Sequence, residues 1–498
     1  MNVNPITRLD YPDPDVIRVE DTYYMVSTTM HFMPGCEILQ SFDLVHWEHA
    51  TYVYETLDHT DAQQLKSGQN IYGQGMWAAS LRYHEGRFYI CFVANDTRKT
   101  YLYTSEKIDG PWKKQLIEGF YHDGSLLFDE DGRNYIVYGN DEIWITELNE
   151  DLTAPKKDGL HRLLVSDHKN PELGYEGSHI QKINGYYYIF LIHSLRDRWM
   201  RTEACFYSDS LEGEFTGGDV LCDDRGYCGQ GVAQGGIVDT PDGKWYAMLF
   251  QDSGAVGRIP ILLPVTWKDH FPVFGQNGHV PEEIEVHSTR PGYIYQPLVG
   301  SDDFCNGLLP RWQFNHDPDP RYYHLDALQG TYTITTREVC TELTQAVNTL
   351  TQRMRYPSCA AEVTVDASAL KEGDVAGLCA LQGCYAAVGI TKHHGKYEVL
   401  MLDKKEDGIL DMTEGTVVES HQMDFRLEAD FCNMKDEARC YYRVNKGDWL
   451  PIGTVHKLYF KLDHFTGCRF GLFCYAAEET GGSACFRDFK YYDVDEIS

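Results

Sequence analysis

Three acidic side chains recur at one position of a repeated pattern and could together perform acid–base chemistry. Asp13 and Asp123 lie two residues before an Asp or Ser that opens a short β-prone segment, and Glu176 lies two residues before Ser178. If these segments line a common channel, the three carboxyl groups converge on one cavity. Their mutual repulsion then raises at least one pKa, so that a protonated and an ionised carboxyl can coexist.

This combination fits the hydrolysis of a glycosidic bond. That reaction needs a protonated acid beside the leaving oxygen and an ionised base on the opposite face of the sugar ring. Taken singly, an Asp next to Pro or Gly is explained as a turn residue, and a Glu as a surface charge. The shared position favours a functional role, and a calcium site with carboxylate oxygens as ligands is the alternative.

An internal repeat in the first 300 residues positions these carboxylates. Five segments with a turn followed by an aromatic, β-prone strand contain Tyr24, Tyr89, Tyr135, Tyr188 and Tyr246. Another short strand precedes each tyrosine by nine or ten residues, which indicates a recurring hairpin. Repeats of this length are typical of four-stranded propeller blades. The sequence therefore predicts a five-bladed β-propeller over residues 1–298.

The pattern changes after the fifth repeat. From Ser301 onward the strands alternate polar and apolar residues, as in CAAEVTVDA and KLYFKLDH, which favours two packed sheets. We predict a β-sandwich over residues 299–498, so the chain as a whole should be all-β.

Charge and composition disfavour two classes of binding partner, nucleic acids and membranes. The formal net charge of −31 disfavours nucleic acid, because the protein's overall field repels phosphate. No stretch approaches the roughly 18 apolar residues of a membrane span, so we expect no membrane partner. The start lacks the pattern of a signal peptide, and 15 cysteines are scattered without a C-x-x-C pair. These features predict a cytoplasmic protein with reduced thiols that acts on a neutral or small substrate.

The three acidic motifs resemble those of glycoside hydrolase family 43. The resemblance implies that Asp13 is the base that activates water, that Glu176 is the general acid, and that Asp123 keeps Glu176 protonated near neutral pH. The motifs are YPDPDVIRV (Tyr11–Val19), HDGSLLFDEDG (His122–Gly132) and YEGSHIQKINGYYYIF (Tyr175–Phe190).

Further motifs of the same family imply substrate-binding residues. MWAASLRYHEGRFY is similar to the stretch whose Trp lies in the sugar pocket, which assigns Trp77, and VGRIPILLPVTW implies that Arg258 binds sugar hydroxyls. Gln234 stands where many relatives carry a His in the fifth blade. Met30, with Phe32 close by, stands where β-xylosidases often place a pocket Phe. Ordinary core packing is the alternative for Trp77 and Phe32, and a salt bridge to one of the acids is the alternative for Arg258.

The resemblance also implies the reaction. NTLTQR and GDVAGLCAL resemble the C-terminal sandwich of the family's β-xylosidases and α-L-arabinofuranosidases, which implies a concanavalin-like jelly roll. We therefore expect an inverting, exo-acting hydrolase that releases terminal β-D-xylose, α-L-arabinofuranose or both from xylo- or arabinoxylo-oligosaccharides. The chemistry requires no cofactor, although a structural calcium ion and a homo-oligomer are compatible with the sequence. The alternatives are a non-catalytic carbohydrate-binding protein and an endo-acting, arabinanase-like hydrolase.

Overall fold

The computed structural model describes residues 2–413, 415–461 and 465–493, and its first part is the predicted five-bladed propeller. Each blade is a sheet of four strands in sequence order. Blade one contains Asp15–Val19, Thr22–Ser27, Gly35–Ser41 and Glu48–Tyr54. Blade two contains Met76–His84, Arg87–Ala94, Lys99–Ser105 and Lys113–Ile117. Blade three contains Ser125–Phe128, Asn134–Asn140, Glu142–Leu148 and His161–Ser166. Blade four contains Glu176–Ile183, Tyr186–Ser194, Arg201–Ser208 and Thr216–Leu221. Blade five contains Val232–Asp239, Trp245–Asp252, Arg258–Lys268 and Phe271–Phe274.

The second part is a sandwich of two antiparallel sheets, as predicted. The first sheet contains Gln313–Asn315, Leu350–Arg353, Val375–Leu381, Ala386–His393, Lys396–Lys404, Leu410–Met412, Thr416–Val418 and Arg469–Tyr475. The second contains Tyr323–Asp326, Thr331–Thr335, Ser358–Asp366, Gln422–Asp430, Glu437–Arg443, Leu450–Lys457 and Ser483–Asp493. Asn2–Val3 pairs with Glu283–Ile284, and short 3₁₀ turns cover Lys66–Gly68, Leu343–Gln345 and Cys432–Met434. Within the described ranges, no helix is long and apolar enough to cross a membrane.

The propeller and the sandwich share a hydrophobic core. Phe32–Met33, which lies between two strands of blade one, pairs with Phe314 and Asn315 at the edge of the first sandwich sheet. Arg353 is buried at the interface, where it forms an ion pair with Glu37 (2.8 Å) and stacks on the ring of Tyr11. The domain boundary at residues 298–299 stays a prediction. The pairing of Phe32–Met33 with Phe314 and Asn315 joins the two domains through one sheet.

A polar layer fills the propeller channel. Asp15 is fully buried and accepts hydrogen bonds from the Leu81 amide (2.7 Å) and from Arg82 Nη1 (2.8 Å). Its other oxygen lies 3.0 Å from Nδ1 of His179. These groups come from blades one, two and four, so their ion pairs tie the innermost strands together. Asp15 lies two residues after Asp13, so this polar layer follows the carboxylates along the innermost strands.

Candidate active site

The pairing of the first two strands in each blade corrects the register expected from the sequence. With the five tyrosines aligned, the shared position holds Gly177 in blade four and Gln234 in blade five, whereas the sequence analysis placed Glu176 at this position. The cause is the choice of Ser178 as the reference residue in blade four. The strand position of Asp15 and Ser125 is occupied there by His179, one residue later. The shared position holds Asp13, Ala78, Asp123, Gly177 and Gln234.

The backbone is left-handed at four of these five positions. The φ angles are 53° at Asp13, 48° at Asp123, 65° at Gly177 and 59° at Gln234. A non-glycine residue in this region costs of order 1 kcal/mol and persists only where the surroundings enforce it. These left-handed residues lie at or just before the start of the innermost strands of their blades. The preceding position then holds Pro12, Trp77, His122, Glu176 and Ala233.

Asp13 is held by two donors. Its Oδ2 accepts a hydrogen bond from the Thr28 hydroxyl (2.6 Å), and its Oδ1 accepts one from Arg258 Nη1 (2.7 Å). The carboxylate is 3% exposed. Both oxygens are therefore fixed in direction, and the positive charge of Arg258 compensates the buried negative charge.

Arg258 belongs to a buried charge network that the sequence analysis missed. Asp252 lies between two guanidinium groups, 3.2 Å from Nε of Arg258 and 2.8 Å from Nε of Arg201. Both arginines pack over the ring of Phe250. Because Asp252 neutralises only part of the two positive charges, Arg258 can also pair with Asp13, and Arg201 adds to the positive potential at Glu176.

Glu176, Asp123 and His122 form a second cluster beside this network. Oε2 of Glu176 accepts a hydrogen bond from Asn140 Nδ2 (2.8 Å) and lies 3.4 Å from Nε2 of His122. The same imidazole nitrogen lies 3.5 Å from Oδ2 of Asp123. Asp123 also accepts a hydrogen bond from the Gly177 amide (3.0 Å), which links it to the residue after the acid. His122 thus bridges the two carboxylates, a contact that its place directly before Asp123 could have indicated.

The pKa order within this cluster is opposite to the one expected from the sequence. Burial raises the pKa of Asp123 to about 6, with added repulsion from Glu176 and Asp13, against the attraction of His122. Burial also raises the pKa of Glu176, but the hydrogen bond and charge of His122 outweigh it, so this pKa is lowered. Burial lowers the pKa of His122, and the neighbouring carboxylates reverse this and raise it to about 9. The expected order was wrong because it left out the imidazole, which holds the proton in the open site.

Two of the predicted sugar-binding residues, Trp77 and Gln234, lie beside the acid cluster. Trp77 is partly exposed and contacts His122 edge-on, with ring centroids 6.1 Å apart. Gln234 packs its side chain over Gly177, while its backbone N–H donates a hydrogen bond to Oε2 of buried Glu203 (2.7 Å). Gln234 therefore supports the backbone of the acid.

Met30 and Phe32 are buried between the two domains. The sulfur of Met30 accepts a hydrogen bond from the Thr466 hydroxyl (3.3 Å), so Met30 contacts the sandwich loop that reaches the site. Phe32 lies in the interface core, with Arg469 stacked 3.5 Å above its ring. The structure does not bring Phe32 to the carboxylates, and its surroundings match the core-packing alternative.

A sandwich residue completes the cluster. The ring of Phe465 lies edge-on to Trp77 at 5.4 Å, and the guanidinium of Arg258 lies 4.1 Å over it. Gly467 and Cys468 contact the propeller. The backbone N–H of Cys468 donates a hydrogen bond to the carbonyl of Ala255, and a side chain at Gly467 would place its Cβ only 1.9 Å from the carbonyl oxygen of Val256. Only glycine permits this close approach. No repeat or motif indicated Phe465, because it comes from the other domain.

The cluster suits a proton better than a metal ion. His122, Asp123 and Glu176 each offer one ligand atom, all within 4.8 Å of one another. However, the neighbouring carboxylates raise the pKa of His122 to about 9, so a metal ion would have to displace a proton from this ring in order to bind. Arg201 and Arg258 add two further positive charges close to Glu176. The structural calcium ion considered from the sequence stays a prediction.

The raised pKa of Asp123 gives a stability prediction. Because its folded-state pKa lies above the ordinary value, its contribution to stability is full at low pH and is lost as pH rises through about 6. Asp123→Asn removes the buried charge and still accepts from Gly177. We expect it to increase the free energy of unfolding at pH 7 by about 1–3 kcal/mol, with a smaller gain at pH 5. Urea denaturation at both pH values measures this, and a variant less stable than the wild type at pH 7 would contradict it.

Comparison with known proteins agrees with this geometry. The profile of Glycosyl hydrolases family 43 matches residues 3–272, and that of the Beta xylosidase C-terminal Concanavalin A-like domain matches residues 301–492. A protein of Formosa agariphila named beta-xylosidase is 26% identical over 99% of this chain and 89% of its own length. One of Butyrivibrio fibrisolvens named xylosidase/arabinosidase is 24% identical over 99% of both chains.

A solved structure is also similar over nearly the whole chain. The bifunctional GH43-CE protein of Bacteroides eggerthii superimposes with a TM-score of 0.92 at 42% identity over 99% of this chain, which spans 63% of that longer protein. The family profiles, found over both domains, confirm the resemblance of the acidic motifs and the concanavalin-like sandwich. The chain belongs to glycosyl hydrolases family 43 and is a glycosidase.

Proposed function

We propose that this glycosidase is inverting and exo-acting, and that it releases terminal β-D-xylose, α-L-arabinofuranose or both from xylo- or arabinoxylo-oligosaccharides. The observation that carries the proposal is the difference between the two carboxyl environments. Asp13 is fixed by Arg258 and Thr28, whereas Glu176 contacts His122, a group that carries a proton. An inverting hydrolase needs one carboxylate that accepts a proton and one carboxyl that supplies it.

The proposed mechanism is a single displacement. Asp13 takes a proton from water as the water oxygen bonds to the anomeric carbon. On the other face, Glu176 gives a proton to the departing glycosidic oxygen. Asp123 positions the acid through the Gly177 amide and holds the positive charge of His122 beside it. The buried, prearranged charges favour the developing positive charge on the sugar more than the neutral substrate.

Trp77 and Arg258 are proposed to bind the terminal sugar. The side chain of Trp77 is partly exposed and lies beside His122, so its ring can contact a sugar that is bound next to the acid. Sugar rings also pack their apolar faces on aromatic side chains. Arg258 can bridge Asp13 and the substrate, since a guanidinium carries several donors in one plane. These contacts suit a small, neutral pentose.

Phe465 supports exo-action. A ring from the second domain, packed against both Trp77 and Arg258, narrows the space next to the carboxylates. A long chain could then enter only with its end. The relatives named beta-xylosidase and xylosidase/arabinosidase are consistent with removal of terminal pentoses.

The proposal is tested with two nitrophenyl pentosides and one polymer. We expect hydrolysis of nitrophenyl β-D-xylopyranoside, of the α-L-arabinofuranoside, or of both, because the two terminal sugars can present similar hydroxyls to one pocket. Polymeric xylan should release free pentose with little loss of viscosity. Rapid internal shortening of xylan would contradict exo-action. A failure to cleave either pentoside, with binding of xylo-oligosaccharides retained, would favour the non-catalytic alternative.

Phe465→Ala gives a further prediction for this site. Loss of the ring removes the stacking partner of Arg258 and one wall of the sugar pocket, so we expect kcat/KM on xylobiose to fall about tenfold, mainly through KM. Internal cleavage of xylan should rise relative to pentose release. Leu328→Ala, a substitution at a sandwich side chain that is 94% exposed, is the matched control. Unchanged KM and product pattern would show that Phe465 has no part in the pocket.

A further inference from the structure

We propose that His122 is a positioning residue that stores the proton used by Glu176 and transfers it when a substrate covers the two side chains. The inference rests on the proposed function, since it assigns the source of the acid's proton in that same reaction. It adds a residue to the base, the acid and the neighbouring Asp123, and it explains how an acid with a lowered pKa can act near neutral pH.

The geometry places the imidazole between the two carboxylates. Nε2 of His122 lies 3.4 Å from Oε2 of Glu176 and 3.5 Å from Oδ2 of Asp123. Asn140 donates to the same Oε2, which limits the rotation of the acid, and the ring of Trp77 packs edge-on against His122. A proton on Nε2 is therefore directed at the carboxyl oxygen that needs it.

The charges around the imidazole of His122 determine whether the shared proton resides on His122 or on Glu176. Asp123, Glu176 and Asp13 face His122 and stabilise its protonated form. Arg201 and Arg258 face Glu176 from blades four and five and stabilise its ionised form. As a result the pKa of His122 is about 9, while that of Glu176 is lowered. The pair is an imidazolium and a carboxylate that share one transferable proton.

Substrate binding changes this balance without changing the net charge. A bound sugar excludes water from the pair, and the loss of water disfavours two separate charges relative to two neutral groups. Moving the Nε2 proton to Glu176 gives a neutral imidazole, protonated on Nδ1, and a carboxylic acid. The competent acid is thus formed by transfer within the site, and no proton has to enter from solvent after binding.

The proton balance of the cycle closes. Glu176 gives its proton to the glycosidic oxygen as the carbon–oxygen bond breaks, and the attacking water gives one proton to Asp13. After the products leave, Asp13 returns its proton to solvent, and the pair of Glu176 and His122 takes one proton from solvent. The sum is one water consumed for each bond hydrolysed.

The test is the pH profile of His122→Gln, which keeps an N–H donor but cannot store a proton. The wild type should lose kcat/KM as pH rises through about 9, where the pair loses its proton. In the variant we expect this limb about one to two pH units lower. We also expect a loss of about 100-fold on xylobiose and about tenfold or less on nitrophenyl β-D-xylopyranoside, because nitrophenolate leaves with little help from an acid.

A control variant, His84→Gln, shows whether the effect is specific to His122. His84→Gln alters a histidine that stacks on Phe128 at the other mouth of the channel and should keep the wild-type profile. If His122→Gln lowers the rate equally on both substrates and leaves the alkaline limb in place, His122 is only a structural contact. If the wild type cleaves no pentoside, the proposed function fails instead.

A second measurement on the wild type does not depend on activity. NMR titration of the histidine rings, with the His122 signal identified by its loss in His122→Gln, should show one imidazole that titrates near pH 9. In Glu176→Gln that titration should move to lower pH, since one of its stabilising charges is gone. A His122 signal that titrates near 6.5, as in an isolated imidazole, would overturn the inference.

Discussion

Asp13→Asn is expected to lower kcat/KM by about three to four orders of magnitude on every substrate, including those with activated leaving groups. An amide has nearly the same shape as the carboxylate but cannot take a proton from water. It can still accept a hydrogen bond from Arg258 or Thr28, so the site should stay assembled. Every substrate needs water to be deprotonated as it attacks the anomeric carbon, so a better leaving group does not replace the base.

The measurement compares rates on nitrophenyl β-D-xylopyranoside and xylobiose across pH. Asp131→Asn, at an exposed turn where the side chain pairs with Arg133, is a matched control that should keep full activity. If Asp13→Asn kept even a tenth of the wild-type rate on either substrate, the base would have to be another group.

Glu176→Gln should have the second largest effect, and that effect should depend on the leaving group. Without a proton donor, we expect kcat/KM on xylobiose to fall about 1,000-fold, and on a nitrophenyl glycoside clearly less. The alkaline limb of the pH profile should also disappear, because no ionisation of the acid is left to be observed. The glutamine can still contact Asn140 and His122 through one of its two terminal atoms.

Equal losses on both substrates would contradict this assignment, since they would place Glu176 in binding or in folding. Thermal unfolding of the variant separates these causes. Because the substitution removes a charge that has a favourable partner in His122, a modest loss of stability is compatible with the acid role.

The sequence predicted the fold well because its information was local and repeated. Five tyrosine hairpins fixed the number of blades, and the alternating strands after Ser301 indicated the sandwich. The register was wrong in blade four because Ser178 resembles the Asp or Ser of the other blades but lies one residue before the equivalent strand position, which His179 occupies.

Contacts between distant parts of the chain could not be predicted in the same way. Phe465 reaches Trp77 from the second domain, and Phe32 leaves the propeller to join a sandwich sheet; neither is encoded in a repeat. The pKa order was reversed for a related reason. Counting carboxylates alone suggested that Glu176 would be protonated, whereas His122 and the buried arginines lower its pKa.

The stereochemistry of the first product tests the central claim most directly. During rapid hydrolysis of nitrophenyl β-D-xylopyranoside by a large amount of enzyme, ¹H NMR can observe the anomeric proton before mutarotation. A single displacement by water, with Asp13 as base and Glu176 as acid, predicts α-xylose as the first sugar to appear. Initial release of β-xylose would show a covalent intermediate and would contradict this account of the site.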